Sequence, residues 1–115
     1  MTRMLMVTAL LLGAAPAFAQ GPTSAAPSPA DQGYMAAMQR MNTQMHAPMT
    51  GNPDADFVAG MIPHHQGAID MAKVELQYGK SKMLRTMAHK IIASQAHEIT
   101  EMRAWQKRHG VAKAQ

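Results

Sequence analysis

Apolar side chains recur along the middle of the chain at helical spacing. Tyr34, Met38, Met41 and Met45 stand at i, i+4, i+7 and i+11, which is one face of a helix. Ahead of them Ser28 can cap, Pro29 suits the first helical position, and Asp31 falls at the third. This helix is expected to stop near Ala47, before Pro48, and Thr50-Gly51-Asn52-Pro53 is turn chemistry. Asn52 or Asp54 then caps a second helix running to Tyr78, with Asp54 and Asp56 in its first turn and Gly79 as its stop. Pro63 lies inside it and is expected to bend the helix or open a bulge, because it removes a backbone hydrogen bond and crowds the carbonyl of Ala59. A third helix, capped by Ser81, runs from about Lys82 to Arg108 and ends at Gly110. Its stripe is Leu84, Met87, Ala88, Ile91, Ile92, Gln95, Ile99, Met102 and Trp105. No stretch alternates as a half-buried strand does, so the fold class is all-α. The expected arrangement is a long antiparallel hairpin with the shorter N-terminal helix packed along it.

Composition narrows the chemistry. The chain has 115 residues, no cysteine, 4% aromatics and 13 methionines, where average usage would give about 2–3. Without cysteine there is no disulfide scaffold, thiolate zinc site or cysteine nucleophile. The glycine-rich nucleotide loops and the GxSxG elbow are absent as well. So few aromatics make a thin core, which dimerisation or a bound metal would supplement. Arg3, the apolar run Leu5 to Ala15 and the Ala17-Phe18-Ala19 site read as a secretory leader over residues 1–19, with cleavage after Ala19. The run is too short to span a membrane, so the expected product is periplasmic or secreted and free of the membrane. Residues 20–30 read as a disordered linker, 31–110 as the helical domain and 111–115 as a tail. The remaining positive charge is scattered and few aromatics are available to stack on bases, which speaks against nucleic acid.

The second helix carries the densest chemistry. On a wheel of roughly 100° per residue, Met61, His64, His65, Ala68, Met71, Ala72 and Glu75 share a face. Thioether sulfur is soft and imidazole borderline, a mixture suited to copper, Cu(I) above all. Thioethers also bind without losing a proton and cannot form disulfides in an oxidising compartment. Against this stands the ordinary use of methionine as core filler, which the Met38, Met41 and Met45 stripe equally fits. The two histidines are metal ligands, a hydrogen-bonded polar pair, or exposed. On the third helix Gln95, Glu98 and Met102 border the stripe. Glu98 either orients an imidazole of helix two or pairs at the surface with Arg103 or Lys90. His46 at the end of helix one could close a site, whereas His89 and His97 read as solvated and His109 as a cation at the helix C-terminus. Enzyme motifs fail. His97-Glu98 lacks the second histidine of HExxH, and no Glu-x-x-His pair exists for a di-iron bundle.

The block Asp56-Phe57-Val58-Ala59-Gly60-Met61-Ile62-Pro63-His64-His65-Gln66-Gly67-Ala68-Ile69-Asp70-Met71-Ala72 closely resembles the signature of domain-of-unknown-function family 305. Downstream, Ile91-Ile92, Gln95, Glu98-Ile99, Met102 and Trp105 fit the same pattern. The resemblance implies a ferritin-like helical bundle, exported, with several members tied to copper binding and copper tolerance. It places the family motif on Met61, His64, His65 and Met71, with Gln95, Glu98 and Met102 opposite. The chain departs from the pattern after Gly79, where Lys80-Ser81-Lys82 replaces the usual acidic residue. Three helices also leave a four-helix arrangement in need of a partner or of the tail.

The expectation is therefore a non-catalytic periplasmic protein that sequesters or transfers copper, Cu(I) ahead of Cu(II). Its ligands would come from Met61, His64, His65, Met71, Met102, Met41, Met45 and His46, with Glu98 and Gln95 behind them. Expected partners are the metal ion, another periplasmic copper-handling protein and a second copy in a homodimer. The competing expectation is a helical interaction module with a methionine-rich docking face. A redox or hydrolytic metalloenzyme comes third.

Overall fold

The structure, a computed structural model, describes residues 25–111. The leader, the first part of the linker and the last four residues of the tail lie outside it. Three helices make up the described chain, α1 (Pro29–Met45), α2 (Pro53–Tyr78) and α3 (Lys82–Arg108), and no strand occurs among the described residues.

Local chemistry sets each helix end. Ser28 caps α1 in a reciprocal box, its hydroxyl accepting from the Asp31 amide while Asp31 accepts from the Ser28 amide at 2.9 Å. That box starts α1 at Pro29, inside the stretch read as linker. Asn52 accepts from the amides of Asp54 and Ala55, so it, and not Asp54, caps α2. Ser81 caps α3 through the Leu84 amide. Pro63 neither ends α2 nor opens a π-turn, and helix runs unbroken from Pro53 to Tyr78. The lost hydrogen bond is confined to one carbonyl, and the proline ring is buried, where packing offsets it. Gly79 ends α2 without a left-handed turn (φ −69°). A Cβ there would fall 2.6 Å from the Glu75 carbonyl oxygen, backbone that cannot step aside as the Glu75 carboxylate could. Arg85, one turn into α3, donates to the carbonyls of Leu76 and Gly79. It supplies the cation that the last turn of α2 lacks.

The helices form a row with α2 at its centre. Antiparallel α1 packs on one flank, with Gly33 against Val74 and Met41 against Gly67. Antiparallel α3 packs on the other, with His65 against Glu98. The backbones of α1 and α3 do not pack on each other among the described residues, so α1 lies along α2 alone and not across the hairpin. Accordingly α2 buries two strips, Pro63, Gly67 and Val74 toward α1, and Val58, His65, Ile69 and Ala72 toward α3. The seams are made of small residues, chiefly Ala37, Ala55, Ala72 and Ala88 with Val58, Val74, Ile69 and Ile99. Among the described residues no large side chain is wholly enclosed. The two faces of the row differ. One carries Asp70, held by Arg40 across helices at 3.2 Å and by Gln66 within α2. The other exposes methionine, leucine and phenylalanine side chains.

Candidate functional site

The two adjacent histidines part company. About 100° separates neighbours on a helix, and that angle sends His65 into the α2–α3 seam and leaves His64 exposed on the open face. His65 Nδ1 lies 2.8 Å from the carbonyl of Met61, and Nε2 lies 2.5 Å from Glu98 Oε2. A carbonyl can only accept, so Nδ1 carries a hydrogen, and a second proton must lie between Nε2 and the carboxylate. Both nitrogens are therefore engaged. His65 has a lone pair for a metal only if Glu98 withdraws. His64 stands edge-on to it, ring centres 6.1 Å apart, and makes no hydrogen bond among the described residues. Its ring is free to ligate.

The methionines fall into three places. Met61 and Met71 share the open face of α2 with His64, one turn before it and two turns after. Met71 lines a groove of about 300 Å³ with Tyr34, Glu75, Leu84, Met87 and Ile91. Met102 lies toward the other end of the hairpin, in a second groove of about 460 Å³ with Phe57, Val58 and Trp105. Met41 sits in the α1–α2 seam, its Sδ 2.7 Å from where a Gly67 Cβ would stand. Met45 is exposed one turn further along α1, and the antiparallel register brings it level with His64. His46 is exposed at the end of α1, with Nδ1 2.5 Å from its own Asn42 carbonyl. Gln95 is half-buried one turn ahead of Glu98. Among the described residues no three His, Cys, Asp or Glu side chains converge as a metal-binding group.

Polar contacts at the rim complete the picture. The Tyr34 hydroxyl makes a long hydrogen bond of 3.5 Å to Glu75 Oε2. Burial, the Glu75 charge and that bond together push the phenol above its ordinary range. Glu75 Oε1 is buried without a partner. Asp56 clasps the entry loop, accepting from the amide and hydroxyl of Thr50 at 2.8 Å each and from the Gly51 amide. Gly51 takes a left-handed turn there (φ 83°). His109 stacks on Trp105, ring centres 4.3 Å apart, and His97 stays exposed beside Glu101. The sequence reading missed Glu75 as a partner of Tyr34, Arg85 as a clamp and Asp56 as a loop anchor. For Arg85 a signal was present, since the last turn of α2 has no cation of its own.

A segment of 49 residues is 43% identical to Uncharacterized protein L153 of Acanthamoeba polyphaga mimivirus. It covers 43% of this chain but only 32% of the viral protein, so the chain spans well under two thirds of that relative. The model of the family described as Domain of unknown function (DUF305) matches residues 7–110. With nearly the whole chain matched, from before the first helix to the end of the third, the protein belongs to the DUF305 family.

Proposed function

We propose that this is an exported copper-binding protein that sequesters or hands on Cu(I) without turning over a substrate. One observation carries the reading. His64, an imidazole with neither nitrogen hydrogen-bonded among the described residues, has Met61 one turn before it on the same stripe and Met45 of α1 level with it, while Met71 lies about 10 Å further along α2. A borderline nitrogen and two soft sulfurs favour Cu(I) over zinc, iron or the hard cations, which seek carboxylates, thiolates or several imidazoles. Met45 and Met38 of α1 and Met87 and Met102 of α3 flank that stripe and are the candidates to complete the shell. His65 holds α2 to α3 through Glu98 and thereby fixes the angle at which His64 is presented. The stretch read as a leader supports a place outside the cytoplasm, where thioethers persist and free thiols tend to oxidise. A second extracytoplasmic copper-handling protein would deliver or collect the ion.

The test is an anaerobic competition titration against a chromophoric Cu(I) chelator. His64→Ala is expected to weaken binding by more than about tenfold with helicity retained. His65→Ala is expected to lower stability and to change affinity less. An affinity unchanged by loss of His64 would remove the site.

A further inference from the structure

The open face carries large apolar side chains that nothing among the described residues covers. Met38, Met45, Phe57, Met71, Leu84 and Met87 are all exposed there, from 38% for Met71 to 63% for Phe57. Together they present about 600 Å² of apolar side-chain surface, at the top of what a monomer shows and close to the roughly 800 Å² each partner gives a stable interface. The opposite face, where Asp70 accepts from both Arg40 and Gln66, is an ordinary solvated surface.

The interior argues the same way. The seams hold alanine, valine and isoleucine, while most of the large apolar side chains lie outside them. Helices α1 and α3 sit on separate flanks of α2, so a single layer has no second layer to pack on. A small domain that leaves ten large apolar side chains exposed lacks part of the burial that usually stabilises one. A copy of the same layer has the matching surface, since both halves of an isologous contact are the same patch.

We infer that a second copy of this chain covers the open face, giving a homodimer of two three-helix layers with His64 and the groove methionines enclosed between them. Burial of the apolar face drives the pairing, which needs no metal. The enclosure has a consequence for the ion that rests on the copper reading. His64, Met71, Met38, Met45 and Met87, exposed in one chain, become interfacial, so the second copy supplies the ligands and the water exclusion that one layer lacks.

The experiment is sedimentation equilibrium on protein purified from cells expressing the full chain, with a Cu(I) chelator present and then with one equivalent of Cu(I). Leu84→Glu with Met87→Glu places charge in the middle of the face, and Met35→Glu, on the outer edge of α1, is the control. Circular dichroism checks that each variant remains helical. The metal-free protein is expected to be dimeric at about 10 µM, and the double variant to dissociate at least about a hundredfold more readily. Met35→Glu should behave as the parent does. A monomer at all concentrations overturns the inference whether or not it binds copper. So does a dimer that forms only with Cu(I), or one that the double variant leaves intact. A metal-free dimer that the double variant breaks but that takes no Cu(I) from the competing chelator upholds the pairing and removes the copper reading instead.

Discussion

Replacing Glu98 by alanine leaves the buried His65 with an unanswered ring nitrogen at the centre of the α2–α3 seam. The His65 side chain is 8% exposed and that of Glu98 48%, with 2.5 Å between Nε2 and Oε2. A buried polar atom stripped of its partner costs about 1–3 kcal/mol. Because Glu98 reaches in from a half-exposed position, water can follow where the carboxylate was, which sets the expected loss at about 1–2 kcal/mol. For a domain of this size that is roughly 5–15 °C in melting temperature. Glu98→Gln keeps a group able to donate to Nε2 and should recover about half of the loss. The assay is urea unfolding followed by circular dichroism, run as a double-mutant cycle with His65→Ala at fixed protein concentration. The two changes should be coupled by about 1 kcal/mol. Coupling below about 0.3 kcal/mol would mean the contact holds nothing in place, and the argument that His65 positions His64 would fall with it.

Three further outcomes follow from contacts elsewhere. Hydrogen bonds from the Thr50 amide and hydroxyl, then from Gly51, hold the Asp56 carboxyl below its ordinary range. The Ser28 hydroxyl and amide do the same for Asp31. A depressed native pKa means stability that is complete above the ordinary carboxylate range and lost as pH falls through the native values. Thermal melts from about pH 6 to about pH 2 should show that loss, and Asp56→Asn should flatten part of it. Within α2, Gly67→Ala and Gly60→Ala should differ in sign. A Cβ at Gly60 meets nothing within 4 Å and adds about 0.5–1 kcal/mol of helix preference. One at Gly67 falls 2.7 Å from Met41 Sδ and 3.0 Å from its Cβ, and overpacking of about 1–3 kcal/mol outweighs the same gain. Equal effects in chemical denaturation would contradict the close α1–α2 approach. Arg85→Ala removes the donor to the Leu76 and Gly79 carbonyls, and amide exchange should rise in the last turn of α2 before it rises elsewhere.

What the sequence disclosed was mostly local. Ser28, Asn52 and Ser81 cap the three helices because their side chains answer amides two or three residues away, and that chemistry needs no knowledge of the fold. Pro63 shows the complementary limit, since the bulge its chemistry allows does not form and helix runs on unbroken. Its local cost is real, but the α1–α2 seam that buries it is a tertiary feature. The histidine pair shows the same boundary. Helical spacing put His64 and His65 on one face, and so they are if α2 has one face to bury. A central helix has two, and the seam with α3 separates the neighbours. Glu98 was legible as a partner for an imidazole. Which imidazole it holds, and the engagement of both His65 nitrogens, depended on the α2–α3 register. The exposure of Leu84 and Met87 was hidden too, since periodicity marks an apolar stripe without saying whether anything in the same chain covers it.

The donor set is the centre of the account, and X-ray absorption at the copper edge of the Cu(I)-loaded protein reads it directly. The expected signal is a sulfur shell with a single imidazole, the imidazole lost in His64→Ala and kept in His65→Ala. An imidazole shell unchanged in His64→Ala, or a nitrogen and oxygen shell without sulfur, would contradict it.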